Sequence, residues 1–425
     1  MRRLIAIGVF VFIFANFMYY SWDEGSLYGP PEAGDGVDYD AIALNISQGK
    51  GFGFDWDDPA YYEAYAGTPS YDALRTRHSE AGFYPTSYRP PAVPLLMGIV
   101  YKLTNRNFTA WRIFQIAWMS GTVVLAGTIA AQMGGWLAVI FVGLFAVQSQ
   151  QLFAYSHWFM TETGAAFMVT LFGWTWLRAS RLGWTRRRAF VTGMVLGGLI
   201  ATRSIFVLWT PVVLFVPRLA EATRLKSLAL PKALCLAGCL LVIGPWWVRN
   251  IVVTGARLPF GTEGALNLPA GFGPLAQKNR GVWTPNHGDG SDQVWARVKP
   301  DMRAFEVELA RYRQRITLRW MQRHPWEVLD LMRLHVWQEI RPRGDPFADY
   351  VPYLAVLCAI WFRKTAAGKL ILLMIGANLF GIAMTWSVEG RFLVPLVPMF
   401  LAVIGAAFAV VARRAIEEDD RRREA

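Results

Sequence analysis

The sequence predicts an all-α polytopic membrane protein: about ten transmembrane helices with two large loops outside the bilayer. Three observations predict it. Of 425 residues, 54% are hydrophobic and only 17% charged, against roughly 25% charged in ordinary soluble chains. Residues 233–248, 370–388 and 392–412 carry no charge, and from Thr109 to Leu177 the only charges are Arg112 and Glu162. Apolar stretches near the ~20 residues that cross a bilayer cannot repeatedly stay in water. Finally, Lys and Arg gather in groups between the apolar stretches, as they do in cytoplasmic loops.

Taken in order, Met1-Arg2-Arg3 leads into an apolar run from Leu4 to Tyr20. That run has no small-x-small cleavage site, so it reads as a retained first helix rather than a removed signal peptide. Further spans are expected at 109–131, 135–153, 159–177, 189–203, 204–217, 233–252, 347–362, 370–388 and 392–412. The basic groups lie at Arg2-Arg3, Arg178–Arg188, Arg218–Lys232, Arg363–Lys369 and Arg413–Arg423. Placing them all on the cytoplasmic side requires an odd number of crossings between the first helix and Arg178. The thirteen-residue stretch Pro91–Leu103 must then not cross, which suits an interfacial or re-entrant helix.

Two segments face outward on this count, 22–107 and 254–346. The first should carry a juxtamembrane helix, with Tyr39, Ile42, Ala43 and Ile46 on one face and Gly49 and Gly51 as its stop. The second should carry an amphipathic helix through Phe305, Leu309, Tyr312 and Ile316, then a helix opened by Pro325. The chain thus divides into a transmembrane module with the first outer loop (1–253), the second outer loop (254–346), and the C-terminal helices with a short cytoplasmic tail (347–425).

The net charge of +12 is mainly a record of sidedness. The cytoplasmic groups hold 19 basic and 6 acidic residues, whereas 22–107 holds 6 basic and 12 acidic. No basic-aromatic patch sits on a soluble module, so nucleic acid is not an expected partner. Cys235, Cys239 and Cys358 all fall in apolar segments and read as small buried side chains. No His/Cys/Asp cluster has metal-ligand spacing.

The chemistry-bearing residues sit at the outer ends of the spans. Asp35 and Asp38 open the juxtamembrane helix, either as capping acids at its positive end or as a carboxylate held above the bilayer for general-base work. Arg89-Pro90-Pro91 fixes a guanidinium before the interfacial helix, to anchor lipid phosphate or to grip one reacting phosphate. Glu162 is the lone acid of a long apolar stretch, expensive unless paired or functional, and His157 lies beside it as an interface residue or a ligand. Arg249-Asn250 and Glu389-Gly390-Arg391 reach the same face. Acids and arginines converging on the outer surface favour a reaction site over a transport path, which would set ionisable groups near the midplane on broken helices.

In this order the motifs Asp35…Tyr39…Ala43, Arg89-Pro90-Pro91, Thr161-Glu162, Pro245-Trp246…Arg249-Asn250 and Glu389-Gly390-Arg391-Phe392…Pro395 resemble the GT-C superfamily of polyprenyl-phosphate-sugar glycosyltransferases. The likeness is to the bacterial branch of protein O-mannosyltransferases and the lipid A aminoarabinose transferase. The resemblance implies a GT-C-like bundle in the bacterial cytoplasmic (inner) membrane, with cytoplasmic termini and an active site facing the periplasm or exterior. It implies Asp35 as catalytic acid, and Asp38 as helper or alternative base, because Gly36 stands where the family often has a second acid. It further implies that Arg89, with Arg249 and Arg391, contacts the donor phosphate, and that Glu162 orients the acceptor or a cation. Tyr39, His157 and Asn250 would contact acceptor or sugar.

The expected activity is inverting transfer of a sugar from a polyprenyl-phosphate donor to a glycan, lipid or protein acceptor. No cofactor is required; a divalent metal is permitted but not predicted. The rival readings are a lipid-linked glycan ligase or polymerase, a lipid-linked sugar flippase, and a non-enzymatic envelope scaffold.

Overall fold

The computed structural model describes residues 1–31, 34–75, 82–211, 229–284 and 290–424. Among them lie nineteen α-helices and a single two-stranded ribbon, Gly53–Phe54 against Tyr84–Pro85. The chain is all-α, and its helix composition is that of a multi-pass membrane protein.

The expected count of ten spans is corrected downward. Five described helical stretches are long and apolar enough to cross a membrane: Arg2–Asp23, Phe108–Gly134, Ala229–Thr254, Ala366–Ala383 and Arg391–Arg423. A sixth arises if Leu137–Ala146 and Gln150–His157, bent by 70° at their junction, form one broken span. The other stretches fall short for physical reasons. Arg186–Thr202 has 17 residues and Pro346–Trp361 has 16, about 24–26 Å at 1.5 Å per residue against a ~30 Å hydrocarbon core. Glu162–Leu182 is 21 residues long but carries Glu162, Arg178 and Arg181. The 204–217 stretch opens as a 3₁₀ turn, Ser204–Trp209, and its part from 212 onward lies outside the described residues. Low charge alone overcounts crossings, and the parity assignment of sides that used that count is not fixed by these helices.

The Arg391–Arg423 stretch is the central post of the bundle, with 83% of its apolar window buried against 22% for Arg2–Asp23 and 28% for Ala229–Thr254. Those two outer helices show apolar side chains to the surroundings, among them Ile7, Val11, Leu240, Leu241 and Val252. Small residues let the helices close up, as in membrane interfaces generally. A Cβ on Gly193 would fall 1.8 Å from the Cys235 carbonyl, and one on Gly197 2.6 Å from that of Cys239. The two cysteines are therefore packing residues of a tight helix pair.

The two long segments between the apolar stretches form the helices expected of them. Asp35–Ser47 ends before Gly49, which takes the left-handed conformation (φ 79°) of a helix stop. It packs on Ala92–Thr104 at Gly98, where a Cβ would come within 2.7 Å of Ile46. At 13 residues Ala92–Thr104 is too short to span. It exposes Leu95, Ile99 and Leu103, a stripe at four-residue spacing. Asp40, fully buried, anchors the first helix by accepting from Tyr65 (2.7 Å) and Tyr101 (2.6 Å) and pairing with Arg106 (2.6 Å). In the second segment Met302–Arg323 starts at an Asp301 cap. It packs Phe305, Leu309 and Tyr312 against Ala265 and Leu266 of Glu263–Gly271, and Pro325–Ile340 follows.

Candidate functional site

Arg89 is the centre of the site. Its side chain is only 6% exposed and touches three carboxylates: Asp35, Asp38 and Glu263, each at 2.6 Å. Asp35 and Glu263 are the first residues of their helices, Asp35–Ser47 and Glu263–Gly271, so each acid sits at the positive end of a helix dipole. Asp35 is thus the first helical residue and not the cap, which is Gly34. The Arg89 guanidinium also lies over the rings of Tyr88 (4.4 Å) and Tyr39 (5.3 Å), where cation–π attraction adds to the ion pairs.

The network continues through Arg391. Its Nη2 pairs with the second oxygen of Asp35 at 2.7 Å, and its Nε donates to Glu162. Glu162 is fully buried and also receives Arg203 at 2.7 Å. One chain of charge therefore runs Glu263–Arg89–Asp35–Arg391–Glu162–Arg203, with Asp38 on Arg89. Asp35, Tyr39, Tyr88, Arg89, Arg203, Glu263 and Arg391 line a cavity of about 620 Å³. Its other walls include Leu208, Leu258, Phe260, Leu268, Trp283 and Trp386, so it is charged at one end and largely apolar elsewhere.

Each charged residue is held by its local backbone. Thr86 and Ser87, just before Arg89, are clamped by Glu306. Its carboxylate accepts from Thr86 Oγ1 (2.5 Å), from Ser87 N and Oγ (both 3.0 Å), and from Thr262 Oγ1 (2.6 Å) beside Glu263. Thr262 N also donates to the Ser87 carbonyl. At Gly261, φ is +96° and a Cβ would lie 2.2 Å from that same carbonyl, so only glycine fits there. Arg391 is held by Glu339, fully buried, which accepts from Ser387 Oγ (2.7 Å), Val388 N (3.1 Å) and Phe392 N (2.6 Å).

Electrostatics separate the two cavity-lining acids. Burial raises the Asp35 carboxyl, but Arg89 and Arg391 outweigh it and hold Asp35 well below the usual carboxylate range. Burial also raises Glu263, and Arg89 and Arg203 together do not offset it while Asp35 adds repulsion, so Glu263 titrates above its ordinary value. Burial likewise pushes the Tyr39 hydroxyl up.

Asp35, Asp38, Arg89, Tyr39, Glu162 and Arg391 come together, Glu162 behind the wall as the brace of two arginines. Three expected residues are elsewhere. Arg249 donates to the Thr86 and Phe52 carbonyls and sits over Trp246 (4.9 Å), so its guanidinium fastens the ribbon. Asn250 is buried and receives Arg249 at 3.2 Å. His157 contacts the Phe153 carbonyl (3.1 Å) and packs on that ring. None of the three is among the described lining of the cavity.

Arg203 and Glu263 were not singled out from the sequence. Arg203, a charge between two short apolar runs, offered the same signal as Glu162; Glu263 is the only acid between Glu221 and Asp289, an isolation that could have singled it out as it did Glu162. Among the described residues no group of three or more His, Cys, Asp or Glu side chains is arranged to hold a metal ion. No protein-family model matches the chain, and no curated protein matches it in sequence.

Proposed function

We propose that the chain is an inverting glycosyltransferase of the GT-C type. It would move a sugar from a polyprenyl-phosphate donor to an acceptor at the outer face of the cytoplasmic membrane. The observation that carries this reading is the buried Arg89–Asp35–Arg391 network at the polar end of a cavity with largely apolar walls. A ligand with an anionic head and an isoprenoid tail fits that division of polarity. The clustering of Lys and Arg at the termini and in the short loops supports a cytoplasmic place for those segments and the opposite face for the site.

The acceptor hydroxyl attacks the anomeric carbon as the bond from that carbon to the phosphate oxygen breaks. Polyprenyl phosphate leaves with the electron pair, and the acceptor proton passes to Asp35 as general base. Arg89 and Arg391 meet the charge growing on the departing phosphate. Direct displacement inverts the anomeric centre. Asp38, on the same guanidinium as Asp35, keeps Arg89 oriented when Asp35 lets go.

The test is incubation of purified protein with a panel of polyprenyl-phosphate sugars, scoring release of free polyprenyl phosphate. One donor should be consumed and its sugar recovered with inverted configuration on the acceptor. Consumption only of diphosphate-linked glycans would point to a ligase or polymerase. Movement of an uncleaved donor between leaflets would point to a flippase.

A further inference from the structure

In this structure the arginines that would bind a ligand's phosphate are already occupied. Arg89 spends Nη1 on Glu263, Nη2 on Asp35 and Asp38, and Nε on Asp38. Arg391 spends Nη2 on Asp35 and Nε on Glu162. An anion that takes over the Arg89 guanidinium must displace a carboxylate. A phosphodiester anion would bring a further negative charge to a site that already holds Asp35, Asp38, Glu162 and Glu263 and is shielded from water, where unpaired charge is costly.

Of the four acids, Glu263 is the one built to yield. Asp35 is tied to two arginines, Asp38 makes two bonds to Arg89, and Glu162 is fully buried between Arg203 and Arg391. Glu263 holds Arg89 through a single described contact. It lines the cavity, and Gly264 after it has open space where a Cβ would be. The charged and titratable groups that act on it are Arg89, Asp35 and Arg203, with Tyr39 and Tyr88. On the helix behind, Glu306 is held to Thr262 and Arg313 to the Leu266 carbonyl. Building on the donor reading above, we infer that Glu263 is a place-holding carboxylate on Arg89 that gives way to the donor's phosphodiester and takes up one proton from solvent as it does. The raised titration of Glu263, from burial against Arg89 and beside Asp35, supports this.

The probe is a short-chain isoprenyl methyl phosphodiester, which carries one negative charge and no titratable proton between pH 5 and 9. Calorimetry on the full-length protein in detergent, in two buffers of different ionisation enthalpy, reads the protons taken up per ligand bound. The wild type should take up close to one proton in the pH interval between the titration of Glu263 in the free protein and its higher titration in the complex, and less above it. Its affinity should fall as pH rises through that interval, by up to about tenfold per pH unit. Glu263→Gln should bind several-fold more tightly above the interval, with neither the uptake nor the pH dependence. The wild-type measurement stands even if the variant folds poorly. Binding with no proton uptake, or uptake unchanged in Glu263→Gln, would overturn this inference and leave the donor reading standing. Failure of the wild type to bind any isoprenyl phosphodiester would overturn both.

Discussion

The brace behind the cavity gives a prediction with a worked magnitude. Glu162 is 0% exposed and its one carboxylate oxygen takes both Arg203 and Arg391. Removing one partner of a buried ion pair costs about 3–5 kcal/mol, because the other charge is stranded, while replacing both costs far less. Arg203→Met leaves Glu162 still paired with Arg391, so its cost should be lower, about 1–3 kcal/mol. Glu162→Gln strands Arg203, whose described ion pair is with Glu162 alone, while Arg391 keeps Asp35; about 3–5 kcal/mol is expected. The double variant should cost less than the sum by about 2 kcal/mol, the coupling of neighbours in one network. The assay is reversible denaturation in mixed micelles followed by tryptophan fluorescence. Additive effects, or a larger cost for Arg203→Met than for Glu162→Gln, would refute the brace.

Further expectations concern function and pH. Asp35→Asn should lower sugar transfer by about 10²–10⁴-fold, the usual weight of a general base, while donor binding measured separately persists. Glu339→Ala strips three donors of their acceptor, including Phe392 N beside Arg391; unfolding measurements should register a loss of about 3–5 kcal/mol, with Glu339→Gln recovering most of it. Although burial raises it, Arg89 and Arg391 hold Asp35 low. Its stabilising contribution is complete above about pH 4, the unfolded carboxylate's range, and is lost as pH falls from there. Asp35→Asn should accordingly flatten the acid limb of stability against pH, and an unchanged limb would count against the pairing.

How far the sequence reached depended on range. Local patterns were legible: the Tyr39/Ile42/Ala43 face, the Gly49 stop and the Pro325 helix start each depend on residues within two turns. Crossing counts were not, because whether 16 apolar residues such as Pro346–Trp361 span or stop short depends on packing that charge-free windows do not encode. The polar end of the cavity was partly legible, since a lone Glu162 in an apolar stretch demands a partner, but the partners come from 41 and 229 residues away. Gly36 is closely packed in a way the sequence could not show. A Cβ there would lie 3.0 Å from that of Pro31 and 3.3 Å from that of Phe159, so those neighbours would have to give by a few tenths of an ångström. Arg249 misled because an arginine near a helix end fits phosphate binding and backbone clamping equally well until its partners are known.

The closed network also constrains when Asp35 can act. With a guanidinium on each oxygen, at 2.6 and 2.7 Å, it is fully ionised and a weak base, because the bonds that stabilise its charge must loosen for it to accept a proton. On the proposed reading the donor supplies that loosening: as Arg89 and Arg391 turn to the phosphate, Asp35 loses the interactions that depress it and its basicity rises. The free protein and the donor complex should then titrate differently. The acid limb of kcat/KM reports the free protein and that of kcat the complex, so the kcat limb should lie at higher pH. If the two limbs coincide, the arginines do not change partners, and Asp38, on the same guanidinium as Asp35, becomes the better candidate for the base.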